Sequence, residues 1–314
     1  MAVGIAKFLI QRFASVPVPP DVSVGELEEV FHHPAFLKSS ESEKKAIMLK
    51  SSESKYDSEV RYPWDHYFGM ALFPLLREKT ALDLGCFTGG RSAAWAQRYQ
   101  LNYIVGVDVK KTYLEAATRF STIKNVRADF LLARAESLPF PEATFDAILS
   151  IDVFEHVQDL RQTLDECYRV LRKRGRLFVV FPSYLHPTGH HLDLASKLPC
   201  IHYVFSGKTL VEAYYETLEE RGTAANWYKR DSPLLRPWER CNTINGTTLR
   251  EFQKLLKDND WKIFLQSKKP IGSVGRNISQ RPGFRYISRL FSPMTSVPFL
   301  QEIFLHRITF ILEK

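Results

Sequence analysis

Between Thr80 and Ala94 the chain reads TALDLGCFTGGRSAA, and no other stretch limits its possible folds as strongly. Ala81 and Leu82 begin a short apolar run, Asp83 to Gly90 is a glycine-rich turn, and Ala93, Ala94 and Trp95 continue in helical fashion. The order is therefore strand, turn, helix. Gly85 and Gly89 allow backbone angles and close approaches that a Cβ would forbid. The turn leads into a helix N-terminus, whose free N–H groups favour an electron-rich ligand. Twenty-five residues after Asp83, Asp108 ends a second apolar run, Tyr103 to Val107. An acid at the end of a second strand can take both hydroxyls of a ribose. Two strands and a crossover helix thus predict a nucleoside site.

The spacing of the turn is D-x-G-x-x-x-G, whereas a dinucleotide fingerprint reads G-x-G-x-x-G. A carboxylate before the first glycine repels a pyrophosphate and suits a cationic ligand with an amino-acid tail. The arrangement resembles motif I of class I S-adenosylmethionine (SAM) methyltransferases. Ala135-Glu136-Ser137-Leu138-Pro139-Phe140-Pro141 and Thr144-Phe145-Asp146-Ala147-Ile148 resemble a run of the type-11-like subfamily that includes ubiquinone and menaquinone methyltransferases. Phe154-Glu155-His156-Val157 and Leu171 to Leu177 resemble its later motifs, so the likeness covers about residues 78 to 182. It implies SAM as cofactor, with Asp83, Gly85, Gly89, Asp108, Ala135, Glu136 and Asp152 as cofactor-binding residues. One departure stands out: the family carries an acid before Ala135 to contact the adenine amine, and here that position is Arg134. Glu136, Asp129 or a backbone carbonyl is left to make that contact.

The rest of the chain is read around this core. Pro17, Pro19 and Pro20 form a stiff linker, and Val24 to His32 allows one or two helical turns. Ser40-Glu41-Ser42-Glu43 fits a capping box before a helix Lys44–Lys50. The aromatic segment Arg61 to Phe68 either folds over a sulfonium cation or, the favoured reading, packs a helix Asp65–Arg77 against the sheet. Further helices are expected at 111–122, 158–172, 207–219 (capped by Ser206) and 247–257, and strands near 129–133, 145–151, 176–181, 261–267 and 302–312, with a loop over 277–297. Strands alternating with helices imply a parallel sheet that binds ligands at the carboxyl ends of its strands. The expected fold is α/β, a Rossmann-like seven-stranded class I methyltransferase sheet with a lid insertion after strand five. Residues 1–77 form an N-terminal helical cap and 78–182 the SAM-binding core; 183–246 form a lid and substrate insertion, and 247–314 a helix and antiparallel edge strands that complete the sheet.

Candidate chemistry lies just past strand five, in the run SYLHPTGHHLD. Methyl transfer needs acceptor, methyl and sulfur in line, and an alcohol acceptor profits from a base. His190 and His191, with Asp193 orienting one of them, are the catalytic candidates; His186 is nearby. Three readings stay open: a general base, a divalent-metal site holding sugar hydroxyls, or packing of the loop. No metal is assigned. His156 is read as structural.

Charge and cysteines narrow the partners. The four cysteines, Cys86, Cys167, Cys200 and Cys241, lack C-x-x-C spacing and read as reduced thiols of a cytoplasmic protein. From Arg221 onward 17 Lys and Arg face seven Asp and Glu, although the whole chain carries only +8. Lys268 to Arg289 holds six bases and no acid, which suits an anionic or lipid-linked acceptor or an anionic membrane face. Nucleic acid ranks low, because only Phe284 and Tyr286 could stack among those charges. No run reaches transmembrane length, and Ala2 to Phe13 reads as an amphipathic helix resting on the domain, with membrane-surface anchoring as a second reading. A looser likeness to methyltransferases of bacterial polysaccharide and glycoconjugate assembly implies O-methylation of a sugar hydroxyl, at the inner membrane face or in the cytoplasm. A natural-product or quinone-type acceptor is the alternative, and a non-catalytic SAM-binding or assembly protein a third reading. The oligomeric state is not legible.

Overall fold

Apolar residues in the five central strands run almost without interruption, as they do when both faces of a sheet are covered. A computed structural model describes residues 1–13, 39–189, 192, 196, 198–220, 245–258, 260–273, 282–298 and 300–314. In chain order it contains α1 (Ala2–Arg12), α2 (Glu41–Arg61), α3 (Asp65–Phe68), α4 (Phe73–Leu76), β1 (Thr80–Leu84), α5 (Gly90–Arg98), β2 (Tyr103–Asp108), α6 (Lys111–Ile123) and β3 (Ala128–Leu132). These are followed by β4 (Phe145–Ile151), α7 (Leu160–Val170), β5 (Leu171–Phe181), α8 (Ile201–Val204), α9 (Gly207–Glu220), α10 (Leu249–Lys257) and β6 (Lys262–Ser267). The chain ends with α11 (Pro282–Phe291), a 3₁₀ turn (Pro293–Ser296), α12 (Gln301–Phe304) and β7 (Ile308–Glu313). The strands form one seven-stranded sheet, ordered β3-β2-β1-β4-β5-β7-β6. β1 to β5 pair in parallel, and β7 is antiparallel to both β5 and β6. This is the expected class I methyltransferase sheet, with its antiparallel pair at one edge.

Two compact units share the chain: residues 1–44 with 184–247, and residues 45–183 with 248–314. The larger unit contains the sheet. Leu82, Leu84, Val105, Val107 and Ile148 face one apolar layer, completed by Leu164 and Cys167 of α7 and Phe252 and Leu256 of α10. Their neighbours Ala81, Ile104, Ala147 and Leu149 face the other, with Trp64, Phe68 and Leu76 from α3, α4 and the residue before them, and Trp95 from α5. Each fully buried large side chain contributes roughly 1.5–3 kcal/mol. The aromatic segment therefore packs, as favoured: Trp64 is fully buried and stacks on Trp95 at 4.5 Å. The single helix expected over 65–77 is broken, because Gly69 takes a left-handed conformation (φ +74°) and ends α3.

Other boundaries shift for local reasons. Ser40 and Glu43 do form the reciprocal cap, but the helix continues to Arg61, because its buried positions Met48, Ser51, Ser52 and Glu59 pack inward. The last strand is shorter than expected, since Gln301–Phe304 is helical, and the expected 277–297 loop holds α11 and the 3₁₀ turn. Thr248 and Glu251 form a full capping box on α10. Glu302, buried, accepts from the backbone of Leu249 (2.6 Å) and Arg250 (3.2 Å) and from the Ser183 hydroxyl (2.6 Å), so it holds the first turn of α10 to the segment following β5.

In the smaller unit α1 lies on α9. Ala6 and Ile10 are buried with Leu210, Ala213 and Tyr214, and Lys7 pairs with Glu216 (3.0 Å) and Glu220 (2.6 Å). The amphipathic helix thus rests on part of the region after strand five. The expected linker at Pro17–Pro20, the turns at 24–32 and Cys241 lie outside the described residues. Among the described residues no helix is long and apolar enough to cross a membrane.

Candidate cofactor site

Strand register brings the carboxyl ends of β1, β2, β4, β5 and β6 to one edge of the larger unit. β1 ends at Leu84 beside Val107, β4 at Ile151 beside Val180, and Phe181 of β5 is paired with Ile308 at the start of β7. Four residues with positive φ lie in the loops there: Gly85 (+79°), Phe87 (+51°), Gly89 (+73°) and Asp152 (+59°). Such angles cost energy outside glycine and cluster at functional loops. At Gly85 a Cβ would lie 2.2 Å from Val153 Cγ2; at Gly89, the N-cap of α5, it would lie 2.6 Å from Ala117 Cβ. Both glycines are therefore required by angle and by space.

Each acid of the glycine turn has an identifiable task. Asp83 is buried and accepts from the Ser92 hydroxyl at 2.5 Å, which ties the end of β1 to the first turn of α5. Burial pushes its carboxyl up to about 7, against the lowering effects of the Ser92 bond and the Arg91 charge. Asp108 accepts from the Phe87 N–H at 3.0 Å and from the Lys110 N–H at 3.1 Å, so it also shapes the turn. Burial raises its pKa too, with those backbone bonds opposing. A carboxylate offers about four lone-pair sites, so two backbone donors leave capacity for a ribose diol. α2 closes the turn from the other side: the Ser52 hydroxyl donates to the Thr88 carbonyl at 2.7 Å, and Gly90 abuts the Ser52 carbonyl.

The remaining sequence candidates divide. Ala135 is buried in the apolar layer. Glu136 accepts from the Gln158 N–H at 2.7 Å and lies 3.5 Å from Arg134, which also donates to Gln158 at 2.9 Å. Arg134 is thus held by neighbouring polar groups. Asp129 bonds the Tyr103 hydroxyl at the opposite, amino end of β2, which removes it as a candidate for the adenine contact. Asp152 forms an ion pair with Arg307, the residue before β7. His190, His191 and Asp193 lie outside the described residues. His186 Nδ1 is 3.2 Å from the Thr188 N–H and 3.0 Å from its hydroxyl, a turn-forming role. His156 approaches Glu155 at 3.8 Å. Among the described residues no three metal-ligating side chains converge.

Sequence reasoning missed a second group at the same strand edge. Tyr67 is stacked on His306 (6.0 Å, 11°) and neighbours His66 (4.6 Å). Burial raises the Tyr67 pKa, with Arg307 the strongest opposing charge. Lys269, two residues past β6, donates to the His66 carbonyl, and burial lowers its pKa. Of the six bases expected to meet an anion, Lys269 is thus folded inward and Lys268 and Arg289 are exposed; Arg276, Arg281 and the Arg285 side chain lie outside the described residues. No spacing signal joins residues 67, 152 and 307; only the sheet order does.

Comparison with known proteins agrees with this geometry. Residues 82–179 match the family described as a methyltransferase domain. The uncharacterized methyltransferase YcgJ of Bacillus subtilis is 36% identical over 106 residues, 33% of this chain and 40% of that protein. The demethylmenaquinone methyltransferase of Thermus thermophilus is 36% identical over 105 residues, 33% of this chain and 48% of that protein. The chain thus spans less than half the length of these curated relatives. Among solved structures, a SAM-dependent methyltransferase from Mesorhizobium loti aligns with a TM-score of 0.50 at 14% identity, over 77% of this chain and 93% of that one, a likeness of fold.

Proposed function

We propose that the chain, whose residues 82–179 match a methyltransferase-domain family, transfers the methyl group of SAM to an oxygen acceptor, a sugar hydroxyl of a saccharide or glycoconjugate. The observation that carries the methyl-transfer reading is the turn built by Gly85, Gly89, Asp83 and Asp108 at the carboxyl end of β1 and β2. In this proposal Asp108 takes the ribose hydroxyls and the free N–H groups at the start of α5 face the amino-acid tail of SAM, while Asp83 holds the turn and lends it negative charge. SAM supplies an electrophilic methyl with a good leaving group. The protein's task is then to align the acceptor oxygen with it and to remove one proton.

We assign that proton to His190 or His191, with Asp193 as the orienting acid; the base reading is supported by their place in the sequence, shortly after β5. The residues after β5 are proposed as a lid that selects the acceptor, and the saccharide reading is supported by the looser family likeness of this insertion. A quinone-type acceptor is the second reading, favoured by the name of the Thermus relative. A non-catalytic SAM-binding protein is the third. Incubating the protein with methyl-labelled SAM and fractionated glycolipid, polysaccharide and small metabolites separates them. Label in a sugar fraction supports the proposal, label in a lipid quinone replaces it with the second reading, and SAM binding without transfer to any pool leaves the third.

A further inference from the structure

From Lys268 to Gln301 the chain carries six basic residues and no acid. Within this run α11 exposes Tyr286 (68%), Arg289 and Leu290 (71%), whose spacing puts them on one side of the helix. Met294, in the following 3₁₀ turn, is exposed as well. Phe291 packs on Phe304 of α12 at 4.8 Å and anchors the helix to its unit. A solvated helix face ordinarily alternates charges of both signs; this one combines an aromatic ring, an aliphatic chain and a cation. α1, in the other unit, repeats the chemistry. Its inner side buries Ala6 and Ile10, and its outer side presents Ile5 (50%), Phe8 (58%) and Arg12, with no acid in the helix.

We propose that these two helix faces bind the surface of an anionic lipid bilayer. Tyrosine suits the headgroup level, leucine, isoleucine and phenylalanine suit the acyl boundary, and arginine meets lipid phosphate. The contact is interfacial and reversible, since each face offers only a few apolar side chains. Charge favours a bilayer over a second copy of this chain: a self-complementary contact through α11 would set Arg289 against like charge in a chain of net +8. It also favours a bilayer over nucleic acid, because Tyr286 is the one exposed ring described on α11, a poor stacking platform. The inference does not rest on methyl transfer.

Sedimentation of the full chain with vesicles tests it. The protein should pellet with phosphatidylcholine vesicles containing phosphatidylglycerol, stay in solution with phosphatidylcholine alone, and be released by high salt. Arg289→Glu with Leu290→Ser should lower the partition coefficient by about tenfold, and Ile5→Ser with Phe8→Ser should lower it independently. Both pairs are at exposed positions, so the thermal unfolding midpoint should be unchanged. Binding to neither vesicle, equal binding to both, or wild-type binding by both variants overturns the proposal. A loss confined to one variant removes the other helix from it, and retention on RNA without vesicle binding replaces the bilayer with nucleic acid.

Discussion

At the scale of single residues the site is decided by buried carboxyls. Asp83 has a folded pKa of about 7 against an ordinary 3.8, and burial is the cause. The sign follows: its contribution to stability is fully present below the ordinary value and is lost as pH rises through about 7. A bound sulfonium and ammonium favour the carboxylate, so SAM binding near neutrality should release a proton. We predict that SAM affinity rises with pH up to about 7 and then levels. Calorimetry in buffers of different ionisation heat reads the proton directly, and Asp83→Asn should abolish the pH dependence. A flat wild-type profile would sink this role. Asp83 was legible in the sequence from its place before Gly85, and Asp108 from its place at the end of the second apolar run. Ser92, the partner of Asp83, and Ser52, which donates to the Thr88 carbonyl, were not, because a serine within a helix carries no pattern and only tertiary approach gives it meaning. For the base, alanine at one of His190 and His191 should lower turnover about a hundredfold with SAM affinity intact, the usual scale for a lost general base. Normal turnover by both variants would return the loop to a packing role, and chelator-sensitive, magnesium-restored turnover would give it to a metal.

Elements were legible where apolar period and caps agreed. β4 matches its expected span, and α10 begins within two residues of it, because Thr248 and Glu251 form the cap the sequence spells. Thr248→Ala should cost about 1 kcal/mol, read as a lower unfolding midpoint, with smaller loss for Thr248→Gly. An unchanged midpoint would mean that Glu302 alone secures the first turn of α10. The unread parts have physical causes. The break after α3 depends on a left-handed Gly69 within a segment that otherwise reads as one helix. α2 extends eleven residues past its expected end, because its inner side is lined by serines and a glutamate in place of an apolar stripe.

For the whole molecule, the parallel order of β1 to β5 follows from alternating strands and helices, and the edge pair follows from the family likeness. What no local pattern carries is the meeting of Tyr67, Asp152 and Arg307, residues from three distant stretches joined by the insertion of β7 between β5 and β6. Methyl transfer by this chain requires the glycine turn to be a SAM site. The most direct test is calorimetric titration of the full chain with SAM and, separately, with NADH. Wild type should bind SAM in the micromolar range and NADH far more weakly, and Asp83→Ala should lose SAM binding by a factor set by a charged hydrogen bond worth about 1.5–3 kcal/mol. Unchanged SAM affinity in Asp83→Ala, or NADH bound as tightly as SAM, would contradict it.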